Sequence, residues 1–239
     1  MAILELHSVS KSYGALRVTD NISLSVNKGE TLGILGPNGA GKTTLFNLIS
    51  GDVLVDAGQV VYDGADATKL PSHQRCRLGI GRSYQVPQPF GNMTVFENLV
   101  TAASFGGVQR ERQAWDTAVQ VLEQTGLMQH ANKAAGSLTL LNRKRLELAR
   151  ALSTGPQLLL LDEIAGGLTE HEAHELVEEL QRIKASGVTM IWIEHVVHAL
   201  LSVADRLFVI NFGQKLAEGQ PQEVMNDPEV KRVYMGMEV

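Results

Sequence analysis

Residues 36–44, Gly36-Pro37-Asn38-Gly39-Ala40-Gly41-Lys42-Thr43-Thr44, have the types and spacing that hold a phosphate chain. Glycines let the backbone curl so that successive N–H groups point inward at phosphate oxygens, and a following helix adds the positive end of its dipole. Lys42 can then reach the β- and γ-phosphates, and the Thr43 hydroxyl can ligate Mg²⁺. The context is right for such a P-loop: the apolar run 31–35 before it reads as a buried strand and 45–49 after it as a helix ending at Ser50-Gly51. The bland alternative is a glycine-rich turn with a lysine beside it, but a chance match to the full motif is expected only on the order of once per hundred chains of this length.

Further residues fit chemistry on a bound nucleotide. Leu158 to Leu161 do not alternate, which marks a strand buried on both faces, and Asp162-Glu163 close it at the edge where ligands bind in open α/β sheets. In P-loop enzymes an Asp there holds Mg²⁺ through its water shell, and the adjacent Glu163 would be the general base on the attacking water. Two solvated acids at a strand end are common in isolation, but here a P-loop precedes them. The strand 188–193 ends at Glu194-His195, where an imidazole could bond a γ-phosphate. Gln85, at the end of a strand over 79–85, could offer its amide to a metal ion or to water, although a glutamine alone proves nothing. Tyr13, on a loop, could stack on adenine; alone it reads better as a surface residue. Thr139 caps a basic amphipathic helix whose N-terminus could meet a phosphate. His171 and His174 read as a solvated helix face rather than a metal pair, because no third ligand clusters with them.

Composition bounds the setting. At 239 residues the chain suits one large α/β domain with room for a subdomain, and its net charge of −5 offers no basic excess for nucleic acid. A single cysteine, Cys76, excludes an internal disulfide and suits a reducing compartment. The N-terminus alternates like a strand and lacks the pattern of a signal peptide, and no apolar run approaches the roughly 20 residues of a membrane span. A cytoplasmic protein that reaches the membrane only through a partner is expected.

The elements that must position these residues follow in order. Residues 2–7 and 20–26 alternate as an antiparallel pair, and 58–64 form a strand closed by Asp63-Gly64. Pro71 opens a short helix, and the prolines and glycine in 86–93 exclude regular structure. Thr94 and Glu97 make a capping box for one helix, and a second runs over 109–124 with Trp115, Ala118, Val119 and Leu122 on one face. Residues 86–154 are therefore expected to be a helical subdomain whose Pro-rich entry could serve as a hinge or docking loop, although those residues alone read better as an ordinary surface loop. A helix over 169–186, a hairpin turning at Phe212-Gly213, and short helices after Pro221 and Pro228 complete the chain.

The whole chain resembles the nucleotide-binding subunit of an ATP-binding cassette (ABC) transporter. Tyr13 matches the aromatic loop, Gly36 to Thr44 Walker A, Gln85 the Q-loop, Leu158 to Glu163 Walker B, and His195 the switch histidine. Residues 79–85, 89–99, 145–150 and 193–195, with Tyr234-Met235-Gly236, look most like the branched-chain amino-acid importer ATPases. Their relatives serve urea, amides and other small solutes, and include a lipopolysaccharide exporter ATPase. The resemblance implies one nucleotide-binding domain over 1–239: a RecA-like core (1–85 and 155–239), an antiparallel β subdomain and an inserted helical subdomain. It implies ATP and Mg²⁺ as cofactors, with Gly36 to Thr44, Tyr13 and Thr139 on the nucleotide, Thr43, Gln85 and Asp162 on the metal, and Glu163, His195 and Gln85 in hydrolysis. It also implies a second cassette packed head to tail, membrane permease subunits docking on 86–98, an indirect link to a solute-binding protein, and a peripheral place on the cytoplasmic face of the membrane. A non-hydrolysing regulatory cassette, a small-molecule kinase and a soluble ABC protein acting on ribosomes or DNA are the rival readings.

Several positions depart from the family pattern. The signature Leu-Ser-Gly-Gly-Gln reads Leu138-Thr139-Leu140-Leu141-Asn142, which keeps a hydroxyl but loses glycines that let backbone N–H groups approach a phosphate. Ile164 stands where proline is usual, Gly166-Gly167-Leu168-Thr169 lacks the D-loop aspartate, Val196 replaces an aspartate, and the linker at 104–115 is short. These positions face the opposite subunit, whereas both Walker motifs are intact. The expectation is that this chain's own Walker site hydrolyses ATP beside a partner with a regular signature, and that the converse site is slow.

Overall fold

The computed structural model describes residues 1–235. Strand β3 (Thr31–Leu35), β7 (Leu158–Asp162) and β8 (Thr189–Ile193) are buried along their whole length, as their unbroken apolar runs require. With β6 (Ile80–Arg82), β9 (Arg206–Asn211) and β10 (Gln214–Gly219) they form a sheet in the order β10-β9-β3-β8-β7-β6, parallel except for the β9–β10 hairpin. A second, antiparallel sheet has the order β2-β1-β4-β5, from β1 (Ala2–Tyr13), β2 (Leu16–Asn27), β4 (Ala57–Tyr62) and β5 (Ala65–Asp66).

Alternate residues of the parallel strands feed two separate cores. Leu32, Ile34, Leu158, Leu160, Ile191 and Ile193 pack with Phe46 of α1 (Lys42–Ser50) and the inner face of the antiparallel sheet. Leu159, Leu161, Met190 and Trp192 face the other way, toward α5 (Leu140–Ser153), α6 (Glu170–Ala185) and α7 (Val197–Leu201). After α2 (Ser72–Arg77) and β6, the segment 86–154 carries α3 (Val95–Phe105), α4 (Glu111–Gln124), two short 3-10 turns and α5. Its apolar residues Leu99, Ala118, Leu122 and Leu148 join the second core. The Thr94–Glu97 capping box forms, as does one at Thr169–Glu172 ahead of α6. Two helices, α8 (Pro221–Asn226) and α9 (Pro228–Met235), follow the hairpin. Gly236, the last residue of the resemblance at 234–236, lies outside the described residues.

Three local expectations need correction. The β1–β2 ladder runs to Tyr13↔Leu16, so Tyr13 ends a strand instead of lying on a loop; irregularities in the register carry the pairing past the break in alternation. Strand β6 stops at Arg82: Ser83 N–H still donates to Leu160 O (2.9 Å), then the chain leaves the sheet and Gln85 sits on a loop. In α4 the buried face is Ala114, Ala118, Val121 and Leu122, while Trp115 and Val119 are about half exposed. Trp115 instead packs edge-on against Phe96, centroids 5.1 Å apart.

Candidate active site

The P-loop leaves the C-terminal end of β3 and runs into α1 without a side-chain cap, because the N-cap is Gly41. The N–H groups of that first turn are thus open to an anion. Two glycines are forced by close approach: a Cβ at Gly36 would lie 2.2 Å from Ile210 O, and one at Gly41, with φ 103°, 2.5 Å from Val18 O. Lys42 is buried, and its Nζ donates to Gly36 O (2.8 Å) and Pro37 O (3.0 Å), so the ammonium lies over the loop's own carbonyls. Burial pushes its pKa down, while Glu163 and Asp162 push back.

Asp162 and Glu163 stand where the β7 residues run out. Asp162 is 4% exposed, and burial raises its pKa against the opposing pull of Arg82, whose guanidinium is 3.2 Å away. Glu163 has a left-handed backbone, φ 48°, and its N–H donates to Ile193 O at 2.9 Å. Its carboxylate is held on both oxygens: Gln85 Nε2 donates to Oε2 at 2.5 Å, and His195 Nε2 lies 2.6 Å from Oε1. His195 follows β8, and the buried Glu194 fixes that turn by accepting from the N–H groups of His195 (2.9 Å), Val196 (3.3 Å) and Ala165 (3.0 Å).

Gln85, Glu163 and His195 therefore meet, with Asp162 and Lys42 beside them. Thr43, Gln85 and Asp162 line one cavity of 620 Å³. A hydroxyl, an amide oxygen and a carboxylate are hard donors of the kind Mg²⁺ takes together with phosphate oxygens and water, so the residues fit that ion. Tyr13 stays apart, half-exposed at the hairpin end with Lys11 Nζ 5.8 Å from its ring centroid. Thr139 caps α5, its Oγ accepting from Asn142 N–H at 3.4 Å, and no hydrogen bond joins it to the cluster. His171 and His174 are exposed and lie beside Glu175 and Glu178, a solvated face.

Sequence reasoning missed the buried charges that support these residues. Arg82 donates to Asn47 Oδ1 (2.7 Å), Ser50 Oγ (3.0 Å) and Asp52 Oδ2 (3.0 Å) as well as Asp162, and lies over the rings of Phe46 and Tyr84. Lys144, Glu147 and Arg150 form a polar stripe along α5 that grips the loop after β6. Lys144 donates to Gln85 O, and Arg150 donates to Gln88 O (2.9 Å) and to Glu147 (3.0 Å). Their spacing at i, i+3 and i+6 was the available signal.

Residues 19–166 match the family model described as ABC transporter. The chain belongs to this family. Residues 214–236 of this cassette also match the model described as branched-chain amino acid ATP-binding cassette transporter. The lipopolysaccharide export system ATP-binding protein LptB of Haemophilus influenzae is 35% identical over 236 residues, covering 99% of this chain and 98% of the relative. The high-affinity branched-chain amino acid transport ATP-binding protein LivG of Salmonella typhimurium is also 35% identical, over 249 residues, covering 98% of each. Among solved structures, a nucleotide-free ATP-binding cassette from an ABC transporter superposes with TM-score 0.89 at 32% identity, covering 99% of this chain and 100% of that one. An ADP conformation of such a cassette gives 0.88, also at 32% identity. This ABC cassette is a nucleotide-binding subunit whose hydrolysis of ATP energises transport.

Proposed function

We propose that the cassette drives uptake of a branched-chain amino acid or a related small solute such as urea or an amide, with Glu163 as general base, Gln85 and His195 positioning water and γ-phosphate, and Mg²⁺ held by Thr43, Asp162 and Gln85. The observation that carries the hydrolytic part is the placement of the Glu163 carboxylate between Gln85 and His195 at the end of the Walker B strand. Mg²⁺ supplies charge neutralisation on the phosphates when bound; the protein's part is to place oxygen donors and a base around it. The uptake reading draws on the match over 214–236, and export of a lipid is the second reading because LptB is as similar as LivG.

The cassette works as half of a head-to-tail dimer on the cytoplasmic face of the membrane, with residues 1–85 and 155–239 as core and 86–154 as a helical arm. Permease subunits dock on 86–98. Among the described residues no helix is long and apolar enough to cross a membrane, in keeping with a peripheral subunit. Tyr13 stacks on the adenine, and Thr139 serves the nucleotide of the opposite subunit. Leu140 and Leu141 make that opposite site the slow one. The test compares Glu163→Gln here with the equivalent change in a partner cassette: a larger loss from the change here supports the asymmetry, and equal losses contradict it. Identifying the permease subunits that co-purify, and the solute their receptor binds, separates uptake from export.

A further inference from the structure

Lys144 is 5% exposed, a rare place for an ammonium, which must find acceptors there. It finds main-chain carbonyls: its Nζ donates to Glu163 O at 3.0 Å and to Gln85 O at 3.3 Å. Among the described residues it makes no ion pair, although Glu194, Glu163 and Asp162 are close enough to favour its charge against burial. The two carbonyls belong to the residues whose side chains also meet, Gln85 Nε2 on Glu163 Oε2 at 2.5 Å. One ammonium and one amide–carboxylate bond thus close a ring between two loops distant in sequence.

The Glu163 backbone makes this contact matter. A left-handed φ of 48° at a non-glycine residue persists only where the surroundings over-determine it. Ile193 O holds the N–H side of Glu163, and Lys144 holds the carbonyl side. Lys144 also sits on α5, the helix that starts at the Thr139 cap, so a displacement of that helix reaches both carbonyls together.

We propose that Lys144 is a positioning residue for hydrolysis: it sets where the Glu163 carboxylate and the Gln85 amide stand, and it ties that setting to the helix capped by Thr139. Contact made at the Thr139 end with another subunit's nucleotide is then felt at this chain's own base. The inference rests on Glu163 as that base.

The test measures phosphate release against ATP concentration, nucleotide binding and thermal midpoint in the cassette co-purified with its membrane subunits. Lys144→Met, which keeps length but removes the donors, should lower kcat roughly 10-fold or more. Its KM for ATP should stay within about two-fold, because ground-state binding is untouched. Lys144→Arg, which keeps charge and donors, should recover most of kcat. If the methionine variant does not fold, Lys144→Gln replaces it and should show the same selective loss of kcat. Unchanged kcat in the methionine or the glutamine variant overturns the proposal, as does a kcat loss matched by KM and thermal midpoint that arginine does not relieve. Glu163→Gln serves as control: abolished turnover with ATP still bound leaves the base assignment standing whatever Lys144 does, whereas retained turnover overturns that assignment and the Lys144 proposal with it.

Discussion

Glu163 and His195 lie 2.6 Å apart across the ends of two neighbouring parallel strands, β7 and β8. Because Gln85 occupies the other carboxylate oxygen, both oxygens of Glu163 are engaged. On the proposed assignment of Glu163 as general base, a γ-phosphate and its attacking water would draw His195 and Gln85 away from the carboxylate. Lys42, lying on Gly36 O and Pro37 O, must likewise turn from its own loop to the phosphates.

Arg82 is the counter-charge of the site. Its side chain is 6% exposed and it serves Asp52 and Asp162 together. Arg82→Met should cost about 3–5 kcal/mol, the usual effect of leaving a buried charge without its partner. Urea unfolding of the purified chain measures this; a loss near zero would mean that water reaches Asp162 and replaces the guanidinium.

Asp162→Asn should separate stability from function. Burial holds the wild-type pKa above 3.8, so the folded state keeps its proton to higher pH than the unfolded state, and charging Asp162 costs stability as pH rises through the folded pKa. The variant should melt higher than the wild type at neutral pH. That gain should shrink as pH falls toward the ordinary aspartate range, while ATP turnover is lost at every pH. A gain that grows on acidification would reverse the sign.

How much of this was legible beforehand follows from burial. The strands that carry the site announced themselves because a strand covered on both faces has no reason to alternate, and Leu158 to Leu161 do not. The roles assigned to Asp162, Glu163 and His195 depended on strand ends, which such runs mark clearly. Tyr13 and Gln85 were misplaced locally because a ladder can continue through bulges, and a short strand can end early, without a change in composition. Arg82 and Lys144 were passed over because charged residues usually meet solvent, and only the fold shows which carbonyls and carboxylates they answer.

Leu140 tests the altered signature. It is the first residue of α5, 47% exposed, with its side chain beside Gly167. Leu140→Gly should raise turnover at the site completed by this chain's signature, at a cost of about 1 kcal/mol in helix stability. The readout is phosphate release in a dimer whose other site is silenced by Glu163→Gln in this chain. Unchanged or lower turnover would show that Leu140 is not what slows that site.

The most direct measurement is ATP turnover and ATP binding by the assembled transporter carrying Glu163→Gln in this chain alone. Glutamine keeps the size of the side chain but cannot take a proton from water. Turnover at this chain's Walker site should fall by at least about 100-fold, the scale of a lost general base, with ATP affinity retained. Undiminished turnover and transport would contradict the account and make the chain a non-hydrolysing ATP-binding cassette.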